Sequence, residues 1–188
     1  MKLLLTPSHL EGAVTPPSSK SLLHRELICR YLAGQPTMLP PHAAQDVLTT
    51  RRGLGQLTAG QAPVVDCGDS GSTLRFLLPL FMALGRTDAV FRGSQRLLGR
   101  PVPGDLGLRP MECGIAMTRP LTAGRWTLPG DETSQLISGM LLALPLLEGD
   151  SELTVTGGAV SRPYIHMTEF VMAHHGVTVE RIPGGWRI

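Results

Sequence analysis

Four stretches of the chain have apolar residues at helical spacing, and all four are bounded alike. In each, a serine precedes the apolar segment and a glycine follows fifteen positions later, in windows 19–34, 70–85, 134–149 and 161–176. Hydroxyl side chains cap helix N-termini, and glycine is favoured just after a helix ends. The spacing therefore predicts four helices of about four turns each.

Two further segments are helix candidates. Residues 43–54 have the apolar spacing of a helix, whereas residues 102–113 have it only in part. Two prolines and two glycines interrupt the second segment, which makes it the weaker prediction.

Short runs rich in β-branched or aromatic residues separate these helices, at 64–65, 126–128, 153–156 and 177–182. The alternation predicts three repeats of strand, helix, strand, helix and closing strands, at about 13–63, 64–124 and 125–188. Such repetition favours an α+β fold built from duplicated units around a shared core. The alternative stays open at this point, since any protein that alternates strands and helices shows serine starts and glycine stops.

The second and third windows are apolar almost all round, through residues 76–84 and 140–147. Helices without a polar face lie inside a domain, so we expect these two to form the interior. Pro79 and Pro145 stand at similar places in the two windows, and we expect each to kink its helix.

Composition excludes several classes of protein. Hydrophobic residues make up 42% and charged residues 17%, which excludes a disordered chain. A net charge of +2 and an aromatic content of 4% argue against a nucleic-acid surface. The apolar runs are too short for a membrane span or a signal peptide. The three cysteines (Cys29, Cys67 and Cys113) lack metal-ligand spacing and are odd in number, which favours a reduced, cytoplasmic protein.

The first candidate site opens the first helix, where residues 17–25 read Pro-Ser-Ser-Lys-Ser-Leu-Leu-His-Arg. Lys20 and Ser21 fall in the first turn, where free N–H groups favour an anion, and Arg25 shares the face of Ser21. The chain has 15 arginines and two lysines, so Lys20 is an unusual choice of basic residue. The pattern predicts an oxyanion site, and the alternative is a solvated first turn with ordinary capping.

The second candidate is the sequence Asp-Cys-Gly-Asp-Ser-Gly-Ser-Thr-Leu-Arg at residues 66–75. Gly68 and Gly71 allow a ligand to approach the backbone closely, and Arg75 lies one turn into the helix. The pattern is not a P-loop, so by itself it is weak support for anion binding.

Two more helix starts carry polar groups. Residues 130–135 read Gly-Asp-Glu-Thr-Ser-Gln, and their acidic members favour a polyhydroxylated ligand over bare phosphate. Residues 161–164 read Ser-Arg-Pro-Tyr, with the proline at the first helical position. Arg100 is a further basic residue placed before a helix candidate.

Other chemistries find little support. His174 and His175 are adjacent and would point apart on a helix, and no HExxH pattern occurs. No GxSxG sequence favours a serine nucleophile. Surface histidines are the simpler interpretation.

Taken in order, these segments resemble the 3-phosphoshikimate 1-carboxyvinyltransferases, also called EPSP synthases, of the enolpyruvyl transferase family. The resemblance extends from about residue 10 to residue 179. It implies a lobe of three βαβαββ units around buried helices, one of the two lobes of that fold. It also implies an opening strand at residues 1–12 that pairs with the second lobe, and no metal or organic cofactor.

The resemblance also implies roles for individual residues. The shikimate 3-phosphate site would consist of Lys20, Ser21, Arg25, Thr133, Ser134, Gln135, Ser161 and Tyr164. The phosphoenolpyruvate site would consist of Lys20, Asp69, Gly71, Arg100 and Gln135. Lys20, common to both, would be the catalytic residue of this lobe.

Family members are about twice as long, and their second lobe carries the acidic groups that move protons. Two internal segments, at about 53–64 and 116–120, also look short. The resemblance implies a chain that supplies the shikimate-3-phosphate-binding lobe for transfer of the enolpyruvyl group of phosphoenolpyruvate to the 5-hydroxyl of that substrate. We expect this chain to be inactive without a second lobe on the same or another chain. The alternative is a non-catalytic anion-binding module or a stable folding fragment.

Overall fold

A computed structural model gives the fold for residues 3–4, 6–9, 11–100 and 104–188. The helices are α1 (Lys20–Leu32), α2 (Gln45–Gly55), α3 (Gly71–Ala83), α4 (Gln95–Leu98), α5 (Ser134–Ala143) and α6 (Arg162–His174). The strands are β1 (Val64–Asp66), β2 (Val90–Arg92), β3 (Leu108–Met111), β4 (Gly114–Met117), β5 (Arg125–Pro129), β6 (Glu152–Thr156), β7 (Glu180–Ile182) and β8 (Gly185–Arg187). Short 3-10 turns occupy Gln56–Thr58, Gly104–Leu106 and Leu144–Leu146.

The eight strands form two four-stranded sheets with the same topology. The orders are β1-β2-β4-β3 and β5-β6-β8-β7. In each, the first two strands are parallel and joined through a helix, and the last two form an antiparallel hairpin. The second and third predicted units are therefore βαβαββ units, and the α+β prediction is confirmed.

The first unit differs from this pattern. Residues 11–63, all of which the structure describes, contain α1 and α2 but no strand. Prolines at 16, 17, 36, 40 and 41 remove backbone donors from the two segments that flank α1, and a proline cannot donate to a sheet ladder.

The weaker helix prediction, at 102–113, is wrong. The described part of that segment forms a 3-10 turn and then β3, which pairs with β4. In this described part, Gly104 and Gly107 belong to the turn, and Pro110 lies in β3, an edge strand of its sheet.

The two apolar helices form the centre of the molecule. Nearly every residue of α3 and α5 is buried, as expected. A Cβ built on Gly139 of α5 would collide with the carbonyl oxygen of Arg75 and lie 3.0 Å from Cγ of Pro79 in α3. Glycine at 139 therefore lets the two backbones touch.

The two prolines act differently from each other. α3 continues through Pro79 as a single helix from Gly71 to Ala83. α5 ends at Ala143, and Pro145 lies in the 3-10 turn that follows. The expected kink within α5 is thus replaced by the end of that helix, since proline cannot donate the next helical hydrogen bond.

The boundaries of α1, α3 and α6 follow the predicted serine starts and glycine stops, whereas α5 ends at Ala143, six residues before the predicted stop at Gly149. Ser19 and Ser70 cap α1 and α3, accepting hydrogen bonds from the amides of Leu22 (3.4 Å) and Thr73 (3.2 Å). At α5 the cap is Thr133, one residue before the serine expected. Ser161 precedes α6 in a left-handed conformation (φ 54°) and makes no side-chain cap.

The opening segment adds no strand in its described residues. Leu3 and Leu4 are exposed, and residues 6–9 and 11 are also exposed. Residues 1, 2, 5 and 10 lie outside the described residues, and pairing of 1–12 with a second lobe stays a prediction. No helix in the described ranges is long and apolar enough to cross a bilayer.

Candidate functional site

Four helices begin at one cleft with a volume of about 530 Å3. The starts of α1, α5 and α6 and the first two turns of α3 contribute to its walls. The lining residues are Lys20, Ser21, Arg25, Ser72, Arg75, Phe76, Arg100, Glu132, Thr133, Ser134, Gln135, Val160, Ser161 and Tyr164. All eight residues predicted for shikimate 3-phosphate are therefore neighbours, although they lie up to 144 positions apart in sequence.

Lys20 is held by an acid at the start of α2. Its Nζ lies 2.7 Å from Oδ2 of Asp46, and the two side chains are 50% and 34% exposed. An ion pair this exposed is weak, worth about 0.2–1 kcal/mol. The ammonium is thus positioned at the cleft and can exchange its partner for another anion.

Arg25 is the most constrained cation of the site, at 2% exposed. Its Nε donates to Oγ1 of Thr168 (2.6 Å), and its Nη2 donates to Oγ of Ser138 (3.1 Å) and to the carbonyl of Tyr164 (2.9 Å). Its Nη1 donates to the carbonyl of Ser21 at 2.7 Å. Burial lowers the pKa of Arg25 to about 10.

These bonds account for four of the five guanidinium N–H groups. The guanidinium also lies over the ring of Phe76, 4.9 Å from its centroid. Arg25 therefore ties α1 to α5 and α6, and has one N–H left for a ligand.

The start of α5 is fixed by its own capping and by α3. Thr133 Oγ1 accepts from the amide of Gln135 at 3.2 Å. Gln135 Nε2 donates to Oγ of Ser72 at 3.1 Å. The side-chain amide of Gln135 therefore points toward α3, and the neighbouring Ser134 is buried.

The start of α6 presents a strained serine and an open aromatic ring. A non-glycine residue with positive φ, such as Ser161, is of higher energy than an ordinary loop residue and is concentrated at functional sites. Tyr164 is 46% exposed, while its backbone carbonyl accepts from Arg25 and from Thr168. The ring is thus free to face a ligand while its backbone is anchored.

The predicted phosphoenolpyruvate residues divide into two groups. Gly71, Arg100 and Gln135 meet at one corner, because a Cβ built on Gly71 would lie 3.2 Å from Oε1 of Gln135 and 3.4 Å from Nη1 of Arg100. Asp69 stands apart from the lining residues. It accepts from Ser94, forms an ion pair with Arg96 at 3.3 Å and is largely exposed.

A buried polar chain supports the site from below. Nδ1 of His24 lies 2.8 Å from Oγ1 of Thr50, which lies 2.8 Å from Oγ1 of Thr73, and Thr73 donates to Ser70 at 2.7 Å. Burial lowers the pKa of His24 to about 4, so the ring is neutral near pH 7. This chain fixes α1 and α2 against the cap of α3.

With the geometry in place, comparison with known proteins identifies the family. The family model described as EPSP synthase (3-phosphoshikimate 1-carboxyvinyltransferase) matches residues 41–188, more than half of the chain. The chain belongs to the EPSP synthase family.

Individual relatives agree with this assignment. A 3-phosphoshikimate 1-carboxyvinyltransferase of Clostridium botulinum is 32% identical over 92% of this chain and 48% of its own length. One from Methanocorpusculum labreanum is 31% identical over 100% of this chain and 52% of its own. The chain thus spans about half the length of the curated relatives it matches.

The structural comparison supports the fold. An EPSP synthase from Acinetobacter baumannii superposes with a TM-score of 0.64 at 20% identity, over 94% of this chain and 47% of that one. The Clostridium botulinum alignment is 216 positions long, more than the 188 residues of this chain. The relative therefore has residues without a counterpart here, in agreement with the short internal segments expected from the sequence.

Three cleft features were not predicted from the sequence. They are the Asp46 partner of Lys20, the amide contact of Gln135 with Ser72, and the burial of Arg75 at the cleft wall. Only the second and third of these had a signal in the sequence, since Ser72 and Arg75 share a helical face in an EPSP synthase motif. Asp46 carried no signal at all.

Proposed function

We propose that this chain forms the shikimate-3-phosphate-binding half of an enolpyruvyl transferase site. In the reaction, the 5-hydroxyl oxygen of shikimate 3-phosphate bonds to C2 of phosphoenolpyruvate after C3 has taken a proton. A general base takes the proton of the hydroxyl. The bond from C2 to the phosphate oxygen then breaks, the leaving phosphate takes up a proton, and C3 gives up a proton to restore the double bond. The products are the enolpyruvyl ether and phosphate.

The observation that carries this proposal is the convergence of four helix starts on one cleft. Residues of all four first turns line this cleft, and the positive end of the helix dipole lies at the first turn, which favours anionic groups of a ligand. Both substrates are phosphorylated. In addition, hydroxyl and amide groups of Ser21, Thr133 and Gln135 suit the hydroxyl groups of a sugar-like acid.

Within the site, Lys20 would act by charge. Its ammonium can leave Asp46 for a phosphate or carboxylate, so it would bind both substrates and stabilise the charge that develops between them. Arg100 would bind phosphoenolpyruvate at the Gly71 corner. Arg25 would act chiefly by holding α1, α5 and α6 in register, with its remaining N–H for shikimate 3-phosphate.

The general acid and base groups would come from a second lobe, on the same or another chain, as the relatives' length suggests. Such groups contribute about 10²–10⁴-fold to a rate. On residues 1–188 alone we therefore expect substrate binding without turnover. We also propose a cytoplasmic location, which the three free cysteines support.

The test is an NMR titration of the 1–188 chain with shikimate 3-phosphate, followed at the backbone amides. We expect millimolar ligand to shift amides in residues 19–25, 133–135 and 161–164. Lys20→Met should weaken the response, whereas Arg125→Gln should not, since Arg125 is 90% exposed on β5 and outside the cleft. In parallel assays with both substrates, the parent chain should release phosphate no faster than Lys20→Met does.

The proposal is contradicted if shikimate 3-phosphate shifts none of the amide resonances at the cleft. The alternative of a general anion-binding module predicts another pattern, namely equal responses to shikimate 3-phosphate and to inorganic phosphate. Release of phosphate clearly above the Lys20→Met level would instead show that residues 1–188 are sufficient for catalysis.

A further inference from the structure

Arg75 is a buried arginine whose charge finds no partner in the described part of the chain. It lies in the second turn of α3, is 5% exposed and borders the cleft. Its Nη1 is fully buried and has no hydrogen-bond acceptor among the described residues. None of the carboxylates described forms an ion pair with it.

Such a group is unfavourable for folding. Burial of a charge without a partner carries a large desolvation penalty, which is why buried charges are almost always paired. Two other arginines of this chain have partners where Arg75 has none. The buried Arg25 has no described carboxylate beside it but donates to four neutral acceptors. The half-buried Arg86 donates to the carbonyls of Leu57, Ala59 and Gly60 and to Asp88.

The unpaired nitrogen faces a small space beside Gly71. A Cβ built on Gly71 would lie 3.0 Å from Nη1 of Arg75, 3.2 Å from Oε1 of Gln135 and 3.4 Å from Nη1 of Arg100, so these three polar atoms stand around the place that glycine leaves without a side chain. Two guanidinium groups thus border the space that glycine leaves open.

The electrostatics agree with the geometry. Burial lowers the pKa of Arg75, and the neighbouring charge of Arg100 lowers it further, while Glu132 acts in the opposite direction. Two cations side by side with one acid nearby form a local excess of positive charge. An anion placed between the two cations removes this repulsion.

We propose that Arg75 is an anion-binding residue that completes a two-arginine subsite with Arg100 at Gly71. An oxygen of a carboxylate or phosphate group would lie in the cleft over Gly71, where no side chain stands, and accept from both guanidinium groups once Nη1 of Arg75 turns outward from its buried position. The amide of Gln135 would turn so that Nε2 faces the anion and Oε1 accepts from Ser72. Only the choice of phosphoenolpyruvate as the natural ligand rests on the proposed function.

The experiment uses the 1–188 chain, with phosphoenolpyruvate as the probe and inorganic phosphate as a second anion. NMR follows the Gly71 and Ser72 amides together with the Nε–H resonance of Arg75. We expect all three to shift on titration. In Arg75→Met the amide response should require about 10- to 100-fold more ligand, which corresponds to the loss of one charge-assisted hydrogen bond.

Stability separates a binding role from a structural one. Removing an unpaired buried cation should leave the Tm of Arg75→Met unchanged or raised. Arg86→Met is the matched control, because it removes a hydrogen-bonded arginine outside the cleft. It should lower the Tm and leave the phosphoenolpyruvate response unchanged. Added phosphoenolpyruvate should raise the Tm of the parent chain but not that of Arg75→Met.

The inference is overturned if Arg75→Met binds phosphoenolpyruvate as the parent chain does, or if the Arg75 resonance does not move in the parent titration. That second measurement decides the matter even if the variant fails to fold. Failure of the proposed function looks different, since shikimate 3-phosphate would then move no amide at 161–164 while phosphoenolpyruvate still moved Gly71 and Arg75.

Discussion

The carbonyl oxygen of Arg75 lies directly against the Cα of Gly139, with no side chain between α3 and α5. The same residue that presents an unpaired guanidinium to the cleft is therefore fixed through its backbone at a direct contact between α3 and α5. A substitution at Gly139 should therefore change both the stability of the chain and the binding of anions by Arg75.

We expect Gly139→Ala to lower the free energy of unfolding by about 1–3 kcal/mol or more, because the added methyl group collides with backbone that cannot move aside. Chemical denaturation measures this. Gly55→Ala is the control, since Gly55 is an exposed position at the end of α2 and no atom lies within 4 Å of its Cβ position. It should be neutral or stabilising by up to about 1 kcal/mol. Equal effects at the two positions would contradict the contact.

Asp46→Asn should strengthen the binding of shikimate 3-phosphate. The carboxylate competes with the ligand for Lys20, and an exposed pair is worth about 0.2–1 kcal/mol. We therefore expect a gain of at most about fivefold, measured by calorimetry at low salt. The backbone carbonyl of Asp46, which accepts from Thr50 and Thr73, stays in place. Weaker binding in this variant would mean that Asp46 orients Lys20 instead of competing with its ligand.

Stability should fall as the pH falls from about 6.5 to about 4, in part because of His24. Its pKa is about 4 in the folded chain and 6.5 when exposed. In that range the unfolded chain binds the proton and the folded chain does not, so protonation favours unfolding. The full shift corresponds to about 3 kcal/mol. Denaturation at several pH values should show a shallower dependence for His24→Gln, and an unchanged slope would contradict the assignment.

Arg25→Ala should destabilise the chain by roughly 3 kcal/mol or more, because it leaves several buried acceptors without a donor. Thr168→Val, which removes one of these acceptors, should have a smaller effect in the same direction. Thermal unfolding ranks the two. If Arg25→Ala keeps the parent Tm and loses only ligand binding, Arg25 is a ligand residue and not the link between α1, α5 and α6.

The helices were predictable because their ends are marked locally. Ser19, Ser70, Gly34 and Gly85 each act through the backbone of the next few residues, so the sequence alone specifies them. The β3–β4 hairpin was missed for the opposite reason. Pro110 reads as a helix breaker until a partner strand is known, and its pairing with Ile115 is a tertiary fact.

The site residues that could be predicted from the sequence are those that stand at helix starts. Lys20, Thr133 and Ser161 stand at such starts, and the family resemblance brought them together. The partner of Lys20 and the isolation of Arg75 depend on which atoms are near in space. A motif states which residue is present, but it does not state that a buried charge has no counterion.

The convergence of four helix starts has a consequence for kinetics. Each aligned set of peptide groups is equivalent to about half a positive charge at the helix N-terminus, and these partial charges do not titrate. Together with Lys20 and Arg100 they attract an anionic ligand toward the cleft before it contacts the protein. The association rate constant should therefore be high at low ionic strength and should fall as salt is added. Added salt screens the field, whose range is about 10 Å at 0.1 M. Dissociation, which depends on short-range contacts, should change far less.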